Sequence, residues 1–252
     1  MNDIEARIIE NHNITSNYFS LKLELSETMG AIKPGQFAML KVPDKDVFLR
    51  RPFSIYDYGK KTITIVYRVV GKGTQALSRA AKNKRTYVLG PLGNGFTLKE
   101  RDVYIVIAGG IGIAGVHLLI KYLKARTRLF YGCSTKGELC VIDDVKRFNP
   151  AIATLDGTTG FRGSVVELFR KEKENYSDRN AEIFTCGPEG MIKSIRKEIE
   201  NTKIPCQVLV EERMACGLGL CFGCVIKTVD ENEPYKRACK EGPVFDLWQI
   251  SL

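Results

Sequence analysis

Val103-Tyr104-Ile105-Val106-Ile107-Ala108-Gly109-Gly110-Ile111-Gly112-Ile113-Ala114-Gly115-Val116-His117-Leu118-Leu119-Ile120 is the stretch that decides the fold of this chain. It holds no Asp, Glu, Lys or Arg, and its length is near the lower limit for a membrane span. Its glycines gather in the middle, where a turn belongs. A strand over 103–108, a glycine turn and a buried helix over 113–124 explain the pattern better than a span. Taken from Gly110, the turn also fits G-x-G-x-x-G. Glycines let a backbone approach a pyrophosphate, and a helix N-terminus offers unpaired N–H groups to it. The competing reading is a tight turn that needs glycine only for packing.

Downstream, the alternation continues. Leu129-Phe130-Tyr131 belongs to a second strand, Ser164 caps a helix through Lys171, and Ile183-Phe184-Thr185-Cys186 forms another strand. Cys186-Gly187-Pro188 then leads into a helix, with Pro188 as its first residue and Met191, Ile192, Ile195 and Ile199 at helical spacing. Strand–helix alternation over 99–206 predicts a parallel sheet covered by helices. The acid expected at the end of the second strand of a dinucleotide fold is missing: Gly132, Cys133, Ser134, Thr135 and Lys136 follow. That leaves NAD and NADP both open.

Upstream, residues 1–98 read as a small β-barrel. Tyr18-Phe19-Ser20-Leu21-Lys22-Leu23-Glu24-Leu25 alternates as a half-buried strand does. Further strands are expected over 37–42, 62–70 and 87–89, with turns between them and one short helix over 74–82. Arg51-Pro52-Phe53-Ser54 opens a strand; an arginine fork suits a pyrophosphate, although a surface arginine before an edge strand reads the same way. Val66, Tyr67 and Arg68 lie one strand later, and Gly73-Thr74 would open the helix.

Residues 207–252 carry the densest chemistry. Cys216, Cys221, Cys224 and Cys239 form C-x4-C-x2-C…C, the plant-type spacing of a [2Fe–2S] cluster. Gly217, Gly219 and Gly223 suit a backbone curling around it. A structural zinc site is the bland alternative, but such sites come as two short-spaced pairs. The region has little room for a core of its own, so bound metal would supply much of its folding energy.

Bulk properties narrow the class. The 252 residues suffice for two compact domains, and 44% hydrophobic with 27% charged residues is ordinary for a soluble protein. Eight cysteines are too few for a disulfide scaffold, and thiolate ligands imply a reducing, cytoplasmic compartment. The N-terminus from Met1 to Arg7 shows no secretory signal. The net charge of +9 is not gathered into a basic run with interleaved aromatics, so neither nucleic acid nor a membrane is expected as a partner.

Together, Arg51-Pro52-Phe53-Ser54, Gly73-Thr74, Gly90-Pro91-Leu92-Gly93, Gly109-Gly110-Ile111-Gly112 and Cys186-Gly187-Pro188 resemble the ferredoxin–NADP reductase superfamily. The segments Glu212-Arg213-Met214-Ala215-Cys216-Gly217 and Tyr235-Lys236-Arg237-Ala238-Cys239-Lys240-Glu241-Gly242-Pro243-Val244-Phe245 are similar to the electron-transfer subunits of heteromeric, NAD-linked dihydroorotate dehydrogenases. The resemblance implies an FAD-binding β-barrel (1–98), an NAD-binding α/β domain (99–206) and a [2Fe–2S] region (207–252). Arg51, Pro52, Phe53, Ser54, Val66, Tyr67, Arg68, Gly73 and Thr74 would hold FAD. Gly109, Gly110, Gly112, Cys186, Gly187 and Pro188 would face the nicotinamide cofactor, although for Cys186 a buried packing role reads equally well. Gly115 stands where the family often has proline, which suggests a looser helix start.

The resemblance further implies an FMN-containing dihydroorotate dehydrogenase catalytic subunit as partner, in a heterotetramer, with no catalytic base in this chain. Only two histidines, His12 and His117, are present, and His117 reads as a core residue. The rival readings are a flavin–iron–sulfur subunit of a bifurcating ferredoxin–NADP reductase, a hydrogenase or a sulfite reductase, or a zinc-bearing interaction module.

Overall fold

The computed structural model describes residues 2–176, 179–202 and 204–252; Met1, read above with the N-terminus, lies outside them. Two sheets of seven strands and a two-stranded hairpin organise the chain.

The first sheet is antiparallel and barrel-like. It contains β1 (Asn2–Thr15), β2 (Tyr18–Leu25), β3 (Phe37–Leu40), β4 (Arg51–Ser54), β5 (Asp57–Tyr58), β6 (Thr62–Arg68) and β7 (Arg85–Leu92), in the order β4-β3-β7-β1-β2-β6-β5. The alternation in β2 works as expected: Leu21, Leu23 and Leu25 are buried beside Ile4, Ile8, Ile63 and Ile65. The long strand β1 escapes the sequence reading because charged and amide residues interrupt its apolar period and register shifts follow Ile8 and Asn13. Helix α1 spans Lys72–Ser78, earlier than the expected 74–82. Thr74 does not open the helix; its hydroxyl accepts from the N–H of Val70 and Gly71, at 2.9 and 3.2 Å.

The second sheet contains β8 (Val103–Gly109), β9 (Thr127–Cys133), β10 (Ala151–Thr154), β11 (Phe161–Arg162), β12 (Ala181–Cys186), β13 (Cys206–Leu209) and β16 (Val244–Asp246). Its order is β11-β10-β9-β8-β12-β13-β16, parallel throughout except for the β13–β16 pair. Every residue of β8 is buried, as a central strand covered on both faces must be. Helix α2 (Gly112–Leu123) follows the glycine turn. The quoted stretch is therefore strand, turn and helix, and among the described residues no helix is long and apolar enough to cross a membrane. Helices α3 (Ile142–Val145), α4 (Val165–Glu172) and α5 (Glu189–Ile199) complete the cover. Ser164 caps α4 as expected, through a reciprocal box with Glu167. Pro188 is the cap of α5 rather than its first residue.

The strand hairpin β14 (Val225–Lys227) and β15 (Tyr235–Arg237) lies in the cysteine region. That region shares its core: Cys224, Ile226, Ala238, Cys239, Leu247 and Ile250 pack in one cluster with Met39 of the barrel and Val208 of the parallel sheet. Strand β13 begins at Cys206 and β16 returns to pair with it, so the C-terminal segment is stitched into the second sheet.

Candidate functional site

In an open parallel sheet, ligands bind beyond the strands' carboxyl ends where the winding reverses. Here the chain runs from β8 outward to β9 and β10, then crosses back to β12 on the other side of β8. The turns after β8 and β12, Gly109–Gly112 and Gly187–Pro188, therefore meet at the switch point.

They meet at backbone contact. A Cβ on Gly112 would lie 2.3 Å from the carbonyl oxygen of Cys186 and 2.9 Å from the Gly187 nitrogen. Only a hydrogen fits there, and that is what lets α2 begin directly beside the strand end. Gly110 adopts φ +53°, and its N–H donates to the Gly132 carbonyl at 2.8 Å. Gly115 lies deeper, where a Cβ would sit 3.2 Å from the Cys186 sulfur, 3.2 Å from Leu209 and 3.4 Å from Ser54 Oγ. The helix start is thus close-packed, not loose.

Beside this switch point lies a cleft of about 590 Å³ between barrel and parallel sheet. All the residues expected to hold FAD or the nicotinamide cofactor line it, except Gly73 and Cys186. Gly73 is buried beneath the Arg51 guanidinium, where a Cβ would come within 2.5 Å of Nε. Arg51 Nη1 donates to the carbonyls of Leu49 and Arg50, at 2.6 and 3.3 Å, which steadies the fork at the cleft wall. Tyr67 turns its ring into the barrel between Phe19 and Phe53, and its hydroxyl donates to Asn11 at 3.2 Å. Strand alternation then leaves Val66 and Arg68 on the opposite face. Cys186 is fully buried, and that burial pushes its thiol well above the ordinary value. Of the two readings offered by the sequence, its position is the packing one.

Glu211, Glu212, Arg213 and Met214 also line the cleft, a placement no sequence pattern indicates. They follow the carboxyl end of β13, the place the strand-end rule marks. Glu211 is exposed at the cleft, and the loss of solvent around its carboxyl raises it above the ordinary value.

Two residues beyond Met214 comes Cys216. Gly217, at φ +69°, presses on Met39 of the barrel, where a Cβ would lie 2.6 Å from Cγ. The four sulfurs fall into two pairs. The Cys224 and Cys239 sulfurs lie 3.2 Å apart, and the Cys221 thiol donates a hydrogen bond to the Cys216 sulfur. Enclosure works against a thiolate at Cys216. The N–H groups of Leu218, Cys221 and Leu220, with the Cys221 side chain, outweigh it and bring the thiol down to about 6. Burial and the neighbouring Cys224 push Cys239 up to about 12. Adjacent thiolates repel, so such a set is stable only when cationic metal neutralises it. Among the described residues no three Cys, His, Asp or Glu side chains converge on a single-ion site; the thiols stand as two pairs, the arrangement a two-iron cluster takes, with the backbone N–H groups of Leu218 and Gly223 donating to the Cys216 and Cys221 sulfurs. Cys221 is exposed, among the exposed apolar side chains Leu220 and Phe222.

A polar latch holds barrel and parallel sheet together below the cleft. Tyr56 donates to Asp144 at 2.5 Å and stacks on His117, ring centroids 3.8 Å apart. Lys121 bonds both Asp57 oxygens at 2.7 and 2.8 Å. His117 Nδ1 lies 2.9 Å from the Tyr56 carbonyl, which can only accept, so Nδ1 carries the hydrogen. Burial lowers the His117 value, so the folded protein holds the ring neutral. On acidification the unfolded chain protonates first, near about 6.5. The latch therefore contributes its full stability above that pH and loses it as pH falls toward the lowered folded value. Melting temperatures between pH 8 and 5 should fall less steeply in His117→Gln than in the parent; parallel slopes would contradict this assignment.

This architecture, a barrel-like antiparallel sheet joined to a parallel sheet, is shared with reductases of known structure. The chain superposes on an NADH-dependent reduced ferredoxin–NADP oxidoreductase described for flavin-based electron bifurcation, with TM-score 0.84, 24% identity, and 98% of this chain and 89% of that one covered. On phthalate dioxygenase reductase the TM-score is 0.70 at 15% identity, with 94% of each chain covered. Residues 211–251 match the iron–sulfur cluster binding domain of dihydroorotate dehydrogenase B. Sequence relatives include the dihydroorotate dehydrogenase B (NAD(+)) electron transfer subunit of Caldanaerobacter subterraneus subsp. tengcongensis, 34% identical over 96% of both chains. That of Clostridium acetobutylicum is 38% identical over 85% of this chain and 84% of its own. The chain belongs to the family of dihydroorotate dehydrogenase B (NAD(+)) electron transfer subunits.

Proposed function

We propose that this chain carries electrons from a dihydroorotate-oxidising, FMN-containing catalytic subunit to NAD, through a [2Fe–2S] cluster and FAD. One observation carries the reading most: the cleft wall Glu211–Met214 runs within two residues into Cys216, so the cofactor cleft and the thiol set are built from one continuous segment. When bound, FAD exchanges two electrons with a nicotinamide and one at a time with an iron–sulfur cluster, which supplies the conversion the pathway requires.

The chain's own residues bind and orient. The Arg51 fork takes the FAD pyrophosphate, with Gly73 leaving room for the guanidinium and Thr74 fixing the helix start beside it. Pro52, Phe53, Ser54, Val66, the Tyr67 backbone and Arg68 frame the ring. Gly109, Gly110, Gly112, Gly187 and Pro188 leave space for NAD, and Cys186 packs behind them. Cys216 with Cys221, and Cys224 with Cys239, hold one iron each. In this reading 1–98 binds FAD, 99–206 binds NAD and 207–252 holds the cluster, with β16 anchoring that last region. Leu220 and Phe222 beside Cys221, with Val225 and Tyr235, offer the catalytic subunit an apolar docking face. A heterotetramer with that subunit in a reducing cytoplasm completes the proposal.

Co-expression with a candidate FMN subunit tests it. The two chains should co-purify, and dihydroorotate should then drive NAD reduction. A stable complex with all cofactors loaded that oxidises NADH with an artificial acceptor but reduces no NAD when dihydroorotate is supplied would refute the substrate assignment.

A further inference from the structure

The segment Arg237-Ala238-Cys239-Lys240-Glu241 contains one thiol ligand and an ion pair that ligation itself does not require. Arg237 reaches back across the cysteine loop. Its Nη1 donates to the Gly219 carbonyl at 2.7 Å, between Cys216 and Cys221 in the chain. Its guanidinium lies 4.7 Å from the ring centroid of Phe222, a residue held at φ +56°. The other guanidinium edge is taken by Glu241, at 2.5 Å from Nη2 and 3.0 Å from Nε. Glu241 also accepts the Arg237 backbone N–H at 2.7 Å. The N–H groups of Lys240, Glu241 and Gly242 all converge on the Arg237 carbonyl. One edge of the cation therefore rests on the loop that carries the sulfurs, and the carboxylate occupies the edge turned away from Gly219.

The pair is sheltered, with side chains 19% and 31% exposed. Charges in such a position are screened less than surface charges and act at a lower effective dielectric. Arginine is the residue suited to both tasks: it stays charged at any working pH, and its fork holds the carboxylate and the loop together.

We propose that Arg237 and Glu241 are opposed tuning residues for the cluster's reduction potential, the cation raising it and the carboxylate lowering it. The inference rests on the [2Fe–2S] reading above. Reduction brings one electron from a donor flavin and adds one negative charge; no bond breaks and no proton moves. A fixed cation beside the thiolates stabilises the reduced form more than the oxidised form, and a fixed anion does the reverse. The pair gives this segment a role in how readily the chain accepts an electron, as well as in shape.

A redox titration of the FAD- and iron-loaded chain, followed by electron paramagnetic resonance, tests this. Arg237→Gln should lower the cluster midpoint and Glu241→Gln should raise it. Arg237→Lys, which keeps the charge and loses the fork, should stay close to the parent. A purely mechanical clasp predicts no opposite signs. Shifts in the same direction, or unchanged midpoints in fully iron-loaded samples, would overturn the proposal. If Arg237→Gln cannot hold iron, the rise in Glu241→Gln still decides. Loss of iron from both variants would make the pair a clasp and nothing more, which also overturns it. A parent chain without iron is a separate failure, that of the cluster reading itself.

Discussion

Cys224→Ser is expected to abolish the iron–sulfur signal and dihydroorotate-driven NAD reduction, while NADH oxidation by an artificial two-electron acceptor continues. Cys224 is the buried member of the pair with Cys239, 3.2 Å away, and it lies in the core cluster that joins the C-terminal segment to both sheets. Serine offers a harder, poorly ionised oxygen in place of a thiolate, so ligation fails at a site whose folding is coupled to metal. The cleft is lined by other residues, Arg51 to Ser54 and the two glycine turns among them, and should keep its flavin. Measuring both activities in the same FAD-loaded sample checks this. Loss of both would contradict the order in which the carriers are placed.

Gly112→Val should be the most damaging single change at the switch point. Even the first added carbon would sit 2.3 Å from a backbone oxygen, and strand β12 cannot yield as a flexible side chain does. Overpacking of this kind costs about 1–3 kcal/mol, or roughly 2–4 °C in Tm for each kcal/mol in a chain of this size. Because α2 must shift away from β12, NADH affinity should fall about tenfold or more, one decade for each 1.4 kcal/mol. Gly190 is the control. It lies inside α5 with nothing within 4 Å of a built Cβ, so Gly190→Ala should leave NADH binding unchanged and raise stability by about 0.5–1 kcal/mol. Thermal melts and NADH titrations of both variants test the contrast. Equal behaviour would mean that the glycine turn is not a close approach.

The stretch 103–120 was legible because burial on both faces and a glycine interruption leave few alternatives to strand, turn and helix. The cysteines were legible because their spacing is set by ligand geometry rather than by tertiary packing. Local capping was also readable: Ser164 and Glu167 satisfy each other within one turn. The first strand was not, because β1 mixes Glu, Asn and His into its pairing, and only its partners β2 and β7 show which face is buried. Tyr67 shows a second limit. The strand position is evident, but the partners that draw its ring inward, Asn11, Phe19 and Phe53, are distant in sequence or ambiguous in face. Glu212 to Met214 carry a family likeness in the sequence but no sign of a cleft; β13 places them, with Glu211, at the end of a parallel strand beside it. The role of Arg237 and Glu241 likewise emerges only when Gly219 and Phe222 are brought to them.

The central claim is that four thiolates of this chain hold two irons next to a flavin cleft. Metal and flavin analysis of the anaerobically purified protein, with a paramagnetic resonance spectrum after reduction, tests it most directly. Two irons and one FAD per chain are expected, with a reduced-cluster signal that disappears in Cys224→Ser. Zinc in place of iron, or a reduced, iron-loaded sample without any paramagnetic signal, would contradict it.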